Sequence, residues 1–211
     1  MQRASAAWVR VARAATAILI LAAVLRLFPP IAGGGGSVVT FLSYFTIQSN
    51  LIAAAVLLWL AIRPPAAANV LRADIIRGAA VLYLAITGIV FALLLSGASA
   101  QMSAALLWTN TVLHQLSPIL LFLDWLIVPP AAALTFRRAL WWLVYPLAYL
   151  VYTLVRGAFI DWYPYPFLTP DVVGGYDGVL AYAAAITVGV LVFMAVLFVS
   201  GRGMRRVMAR G

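Results

Sequence analysis

The stretch FTIQSNLI, Phe45 to Ile52, sets Thr46, Gln48, Ser49 and Asn50 inside a run that otherwise reads as hydrocarbon-spanning helix. Four polar side chains in such a run either face lipid at a high cost or face other helices, so reading them decides the fold. The run itself extends over about 38–62. Similar apolar runs near 8–28, 75–96, 105–128, 139–160 and 178–200 each approach the ~20 residues that cross a ~30 Å hydrocarbon core. Of the 211 residues, 66% are hydrophobic and only 9% charged, against the roughly 25–35% charged surface that a soluble domain needs. The chain is therefore expected to be a single all-α membrane domain over 1–211, a polytopic six-helix bundle.

Breakers fall between the runs. Pro29-Pro30 with Gly33 to Gly36, then Pro64-Pro65, then Pro129-Pro130 are each expected to stop a helix, because proline lacks a backbone donor and restricts the residue before it. The absence of Cys excludes disulfides and thiolate metal sites, and a single His excludes a multi-histidine metal or haem centre within one chain. No metal and no cofactor is expected.

The net charge of +9 comes from arginine alone, and its distribution speaks against nucleic acid as a partner. Arg3, Arg10, Arg13, Arg63, Arg72, Arg77, Arg137, Arg138, Arg202, Arg205, Arg206 and Arg210 fall at the termini or in alternate connections, whereas Asp161, Asp171 and Asp177 share a connection on the other side. This positive-inside pattern predicts cytoplasmic termini, with the basic groups lying near anionic headgroups. The Arg-only, Ala-rich composition points to a GC-rich bacterial genome and hence to a cytoplasmic (inner) membrane. Arg3, Arg10 and Arg13 ahead of Ala14–Leu25 also resemble a signal peptide; a retained first helix is expected, since apolar character resumes after Arg26 and no A-x-A site follows.

On a helix, Ser43, Thr46 and Asn50 share one face, as do Asn110, His114 and Ser117, and as do Tyr145, Tyr149, Tyr152 and Arg156. Three polar stripes on three helices are expected to face one another. At 1.5 Å per residue from the outer ends, Thr46, His114 and Tyr152 lie at about 12, 13 and 12 Å, which is one level of the membrane. Each of these residues also has a plain structural use. A membrane Thr bonds a carbonyl one turn back, here Leu42, and asparagines join helices. Tyrosines pack and bond, and a His satisfies a neighbouring carbonyl. Asp124 is expected to pair with a basic residue near its end of the bundle or with Tyr145. Arg26 and Arg156 lie toward the acidic side, where they either pair with Asp161, Asp171 or Asp177, snorkel, or bind a carboxylate or phosphate.

YFTIQSN in the second run, LHQLSPILLFLDW in the fourth and DWYPYPFLTP after the fifth resemble the bacterial six-helix membrane proteins of the Pr6Pr family. More distantly, they are similar to the eukaryotic androgen-induced-gene family of membrane threonine hydrolases. The resemblance covers most of the chain in order and topology, and it rests on the Thr, the His followed by Pro and Asp, and Tyr165-Pro166-Phe167. It implies hydrolysis of fatty-acid esters of hydroxy fatty acids, with Thr46 as nucleophile and His114 as its base.

Residue chemistry is compatible with that implication. An imidazole can activate a Thr hydroxyl, and an oxyanion needs donors, for which Asn50, Asn110, Gln48 and Tyr152 are candidates. Asn110 could also orient His114. Arg156, with Arg26 as second choice, is the candidate ligand for a substrate carboxylate. The partners expected are membrane lipids or fatty-acid-derived substrates. A noncatalytic lipid-binding protein or small transporter would use the same polar pocket, the transporter being favoured by discontinuous helices, and a scaffold with a self-satisfied polar interior would need no ligand.

Overall fold

The computed structural model describes residues 7–33, 37–97 and 103–210; Arg3 and Gly34–Gly36 lie outside the described residues, as does the side chain of Arg210. The described residues are helical with no strands, and they include six helices long and apolar enough to cross a membrane. The fold is an all-α six-helix membrane bundle. In chain order the elements are α1 (Ala7–Gly33), α2 (Val38–Leu42), α3 (Phe45–Ile62), α4 (Val70–Val90), α5 (Ala104–Thr111), α6 (Ser117–Ile127), α7 (Phe136–Ala139), α8 (Val144–Ile160), α9 (Pro170–Val173) and α10 (Tyr176–Arg210).

Two of the proline pairs act as the sequence predicts. After α3 ends at Ile62 come Pro64-Pro65, and after α6 ends at Ile127 come Pro129-Pro130. Pro29-Pro30 does not: α1 carries on through the pair to Gly33. The second expected span divides into α2 and α3, and the fourth into α5 and α6 around a wide π-helical turn at Val112–Leu116. The sixth is longer than its apolar run, since the 35 residues of α10 reach ~52 Å at 1.5 Å each, well beyond a ~30 Å core.

Small residues hold the centre together. Ala17, Ala23, Ala53 and Ala80 are completely buried, and such side chains let helices approach closely where lipid tails supply no hydrophobic drive for association. Trp125 and Trp142 fill one end of the core edge to face, 6.0 Å apart, and their indole N–H groups donate to the carbonyls of Leu197 and Ile75.

Around that tryptophan pair lies a charged cluster, which corrects the headgroup assignment of two arginines. Arg13 and Arg77 are each only 4% exposed. Arg13 Nε donates to Asp124 Oδ1 at 2.7 Å and Arg77 Nη1 to Asp124 Oδ2 at 3.0 Å, while Arg77 Nη2 is 3.6 Å from Asp74. Asp74 also accepts the Ala132 N–H at 2.8 Å, and the Arg77 guanidinium covers the Trp125 ring at 4.9 Å. Two positive and two negative groups thus cancel where α1, α4 and α6 meet, as buried charges must. Asp124 pairs with two arginines, and Tyr145 is not its partner.

Candidate functional site

The polar stretch that opens α3 stands at a break. The chain leaves α2 at Leu42, Tyr44 is extended (φ −76°, ψ 129°), and helical bonding begins afresh at Phe45. A new helix N-terminus within a membrane presents backbone N–H groups that have no intrahelical acceptor. Two phenols from elsewhere in the chain supply them: Phe45 N–H donates to the Tyr149 hydroxyl at 3.1 Å and Thr46 N–H to the Tyr165 hydroxyl at 3.2 Å. Tyr149 passes its own proton to the Ser43 carbonyl at 2.8 Å, closing the break from the other side. The Leu42 carbonyl, expected to hold the Thr46 hydroxyl, instead accepts Gln48 Nε2 at 2.7 Å. Thr46 Oγ1 is free to make other contacts, in the second position of a helix whose dipole favours negative charge there.

One of those contacts is His114, 3.1 Å from Thr46 Oγ1 through Nε2. The reason lies in the turn that carries the imidazole. Pro118 has no N–H to give the carbonyl of residue 114 and its ring crowds that turn, so the helix widens; the Ser117 N–H reaches back five residues to Val112. Gly88 of α4 gives room for the widened turn, for a Cβ there would come within 3.1 Å of both the His114 carbonyl oxygen and Pro118. His114 Nδ1 lies 3.1 Å from the Asn110 carbonyl oxygen. A carbonyl only accepts, so in the neutral ring Nδ1 carries the proton and Nε2 turns a lone pair toward Thr46. Phe91 stacks on the ring, with centroids 4.4 Å apart.

The second contact, Tyr165, comes from the connection after α8 and was absent from the residues assigned to the site by sequence. α8 closes at Asp161 in the left-handed conformation (φ 52°), which Asp tolerates better than most residues. The chain then folds back over Gly157, against which Tyr163 packs so closely that any Cβ would collide with the ring. Tyr165 and Phe167 stack in parallel at 5.2 Å and turn into the bundle, where the Tyr165 hydroxyl lies 3.4 Å from Thr46 Oγ1. Burial raises the Tyr165 phenol above its ordinary pKa, so it stays a proton donor at neutral pH. Because its oxygen already accepts the Thr46 N–H, its proton is available to an oxygen beside Thr46.

These three groups form the polar end of a cavity of about 280 Å³ lined otherwise mostly by apolar side chains of α4, α8, α10 and the Tyr165–Leu168 turn, the hydroxyls of Thr87, Tyr149 and Thr187 in its wall being bonded to the carbonyls of Tyr83, Ser43 and Ala183. Leu147 of α8 and Leu191 of α10 line it and are 50% and 41% exposed, so the cavity reaches the surface beside those two membrane-spanning helices. No cationic side chain is among its lining residues.

The other expected residues fall around rather than inside this cavity. Asn50 is completely buried and used up: Nδ2 donates to the Thr46 and Leu113 carbonyls and Oδ1 accepts from Ser117, which makes it a brace between α3 and the His114 turn. Asn110 orients His114 through its backbone carbonyl, not its side chain. Gln48 accepts from the Tyr145 hydroxyl at 2.9 Å, and Tyr152 meets the Ser43 hydroxyl at 3.1 Å; neither lines the cavity. The Ser43, Thr46 and Asn50 stripe meets each of the other two, in the pairs Ser43–Tyr152, Thr46–His114 and Asn50–Ser117. Arg156 lies outside the cavity with its guanidinium 4.9 Å over the Trp162 ring, and no ion pair joins it to Asp161, Asp171 or Asp177. Arg26 is exposed on α1. Among the described residues, no three His, Asp or Glu side chains come together as a metal site.

A hydroxyl held between an imidazole lone pair and a phenol, at the closed end of an apolar slot, is suited to attack on a carbonyl carried by a hydrocarbon chain. No family model, curated protein or solved structure matches this chain.

Proposed function

We propose that the chain is a membrane-embedded lipid ester hydrolase, with both termini on the cytoplasmic side of a bacterial inner membrane. The observation that carries the proposal is the 3.1 Å contact between Thr46 Oγ1 and His114 Nε2, with Nδ1 committed to the Asn110 carbonyl. Thr46 transfers its proton to Nε2 as Oγ1 bonds to the ester carbon. The oxyanion then takes the Tyr165 proton as a hydrogen bond, next to the N-terminus of α3. The imidazolium returns its proton to the leaving alkoxide, releasing an alcohol and an acyl-threonine. Water attacks that ester as His114 takes its proton; the bond from the acyl carbon to Oγ1 then breaks, the imidazolium returns the proton to Thr46 Oγ1, and the acid leaves. Of the oxyanion donors suggested by sequence, Asn50 is already fully bonded, and Tyr165 takes the role.

The cavity and the resemblance carried by YFTIQSN, LHQLSPILLFLDW and DWYPYPFLTP support a substrate class. A mostly apolar cavity that reaches the surface beside two spanning helices admits an acyl chain straight from the bilayer. The proposed substrate is a fatty-acid ester of a hydroxy fatty acid, whose free carboxylate stays outside the uncharged cavity. Arg156 lies seven residues beyond Tyr149, nearly on the same face and ~10 Å along the axis, where it holds that carboxylate.

The break between α2 and α3 is the kind of discontinuity a transporter or lipid-binding protein would use. Here the backbone groups it frees are taken by Tyr149 and Tyr165, which favours the catalytic reading. Release of fatty acid from a branched fatty-acid ester by protein reconstituted in vesicles tests it. Wild type should turn over, Thr46→Ala and His114→Ala should fall by at least ~10³-fold, and Thr46→Ser should keep part of the activity. Full activity in both alanine variants would reject the proposal.

A further inference from the structure

A second cavity, of about 440 Å³, lies at the junction of α3 and α4, away from the Thr46 site, between Trp59, Arg63, the Pro64-Pro65 pair, Asn69, Arg72 and Ile76. We infer that it is a binding site for an anionic phosphate group, with Arg63 and Arg72 as its ligands.

Position sets the depth of this cavity. The spanning helix α3 stops at Ile62 and the next apolar span begins at Ala67, so the walls between them stand at the level of lipid headgroups. Half-buried Trp59 and Ile76 form the side nearer the hydrocarbon, and Arg63, Asn69 and Arg72 are exposed. An apolar flank beneath a cationic rim matches a group whose phosphate is at the interface and whose remainder is greasy.

Charge accounting then singles out these two arginines. The negative end of the α3 dipole calls for one cation, and Arg10 supplies it: its Nε donates to the Ala61 carbonyl at 2.6 Å, the acceptor that Pro65, four residues on, cannot serve. The carboxylates at this end of the bundle, Asp74 and Asp124, are engaged by Arg13 and Arg77. Among the described residues no ion pair involves Arg63 or Arg72. Two surplus guanidiniums therefore line one cavity, on a backbone that two prolines hold stiff. Guanidinium forks bind phosphate oxygens in pairs, and a preformed cavity of this size lies within the range of ligand sites.

The phosphate can be a lipid headgroup or free phosphate, and the test separates them. Full-length protein in detergent is titrated with phosphatidylglycerol, phosphatidylcholine or inorganic phosphate, reading thermal stabilisation and, by native mass spectrometry, lipids retained per chain. For a lipid headgroup, phosphatidylglycerol stabilises wild type and phosphatidylcholine does not. Affinity then falls about tenfold or more in Arg63→Gln/Arg72→Gln, but not in Arg202→Gln/Arg206→Gln, which loses the same charge elsewhere. For free phosphate, inorganic phosphate alone gives the same loss at the same two residues. Arg72→Lys, which keeps the charge and loses the fork, should retain the fold and bind at an intermediate level. Equal losses in both double variants would mean diffuse surface attraction, and an unchanged Arg63→Gln/Arg72→Gln would show that the cavity is not the site; either result overturns the inference.

Discussion

Two polar clusters are buried in this bundle, and they are built on opposite principles. Around Asp124, full charges cancel one another at 2.7–3.6 Å and every partner is committed. Around Thr46 no carboxylate or guanidinium is present; a hydroxyl, an imidazole nitrogen and a phenol meet at 3.1–3.4 Å in the wall of a cavity. The first arrangement closes its electrostatics within the protein and so joins helices. The second puts three polar groups, bonded to one another, in the wall of a cavity where another molecule can sit. Buried polarity that is satisfied internally holds a fold together, while buried polarity aimed at a cavity is available for chemistry.

Removing one partner from each cluster should separate the two roles. The largest expected effect is Asp124→Leu, which strips Arg13 of its counter-charge and leaves Arg77 only the longer contact to Asp74, and it should destabilise the protein by about 3–5 kcal/mol, enough to unfold much of the population. Thermal unfolding in detergent reads this directly, and a stable Asp124→Leu protein would mean that the cluster does not hold the helices. Tyr165→Phe should act the other way, with kcat falling about 10²-fold for loss of an oxyanion donor. Its stability change should be only about 1–2 kcal/mol, from the unpaired Thr46 N–H. A stability loss with unaltered kcat would make Tyr165 a cap and nothing more. The smallest effect is expected at Arg156→Gln, where KM for a branched lipid acid should rise severalfold while its methyl ester is handled as before. Equal treatment of acid and ester by wild type and variant alike would remove Arg156 from substrate binding.

Much of this was legible in the sequence, and the reasons differ by residue. The six spans follow from apolar length, and the Thr46–His114 meeting was legible in the facing stripes, although the break before Phe45 and the widened turn at Val112–Leu116 interrupt the helical rise from which their matching depths were reckoned. The break before Phe45 was hidden because no Gly or Pro marks it; phenols more than a hundred residues away stabilise it. Tyr165 was visible only as part of Tyr165-Pro166-Phe167, because nothing in a loop's composition says that it folds back into the bundle. Arg13 and Arg77 read as headgroup contacts because an Arg near a helix end has the same local sequence whether it snorkels outward or pairs inward. Pro118 carried a signal that the reading of helix breakers passed over, since a helical proline must disturb the turn before it, and that turn carries His114.

The claim at the centre is that Thr46 is a nucleophile and not another interhelical tie. The most direct measurement is covalent trapping with a fluorophosphonate that carries an alkyl chain, followed by peptide mass spectrometry. One adduct per chain is predicted, on the peptide containing Thr46, absent in Thr46→Ala and strongly slowed in His114→Ala. An intact, folded wild-type protein that takes up no label, or one labelled equally well after Thr46→Ala, would contradict the account.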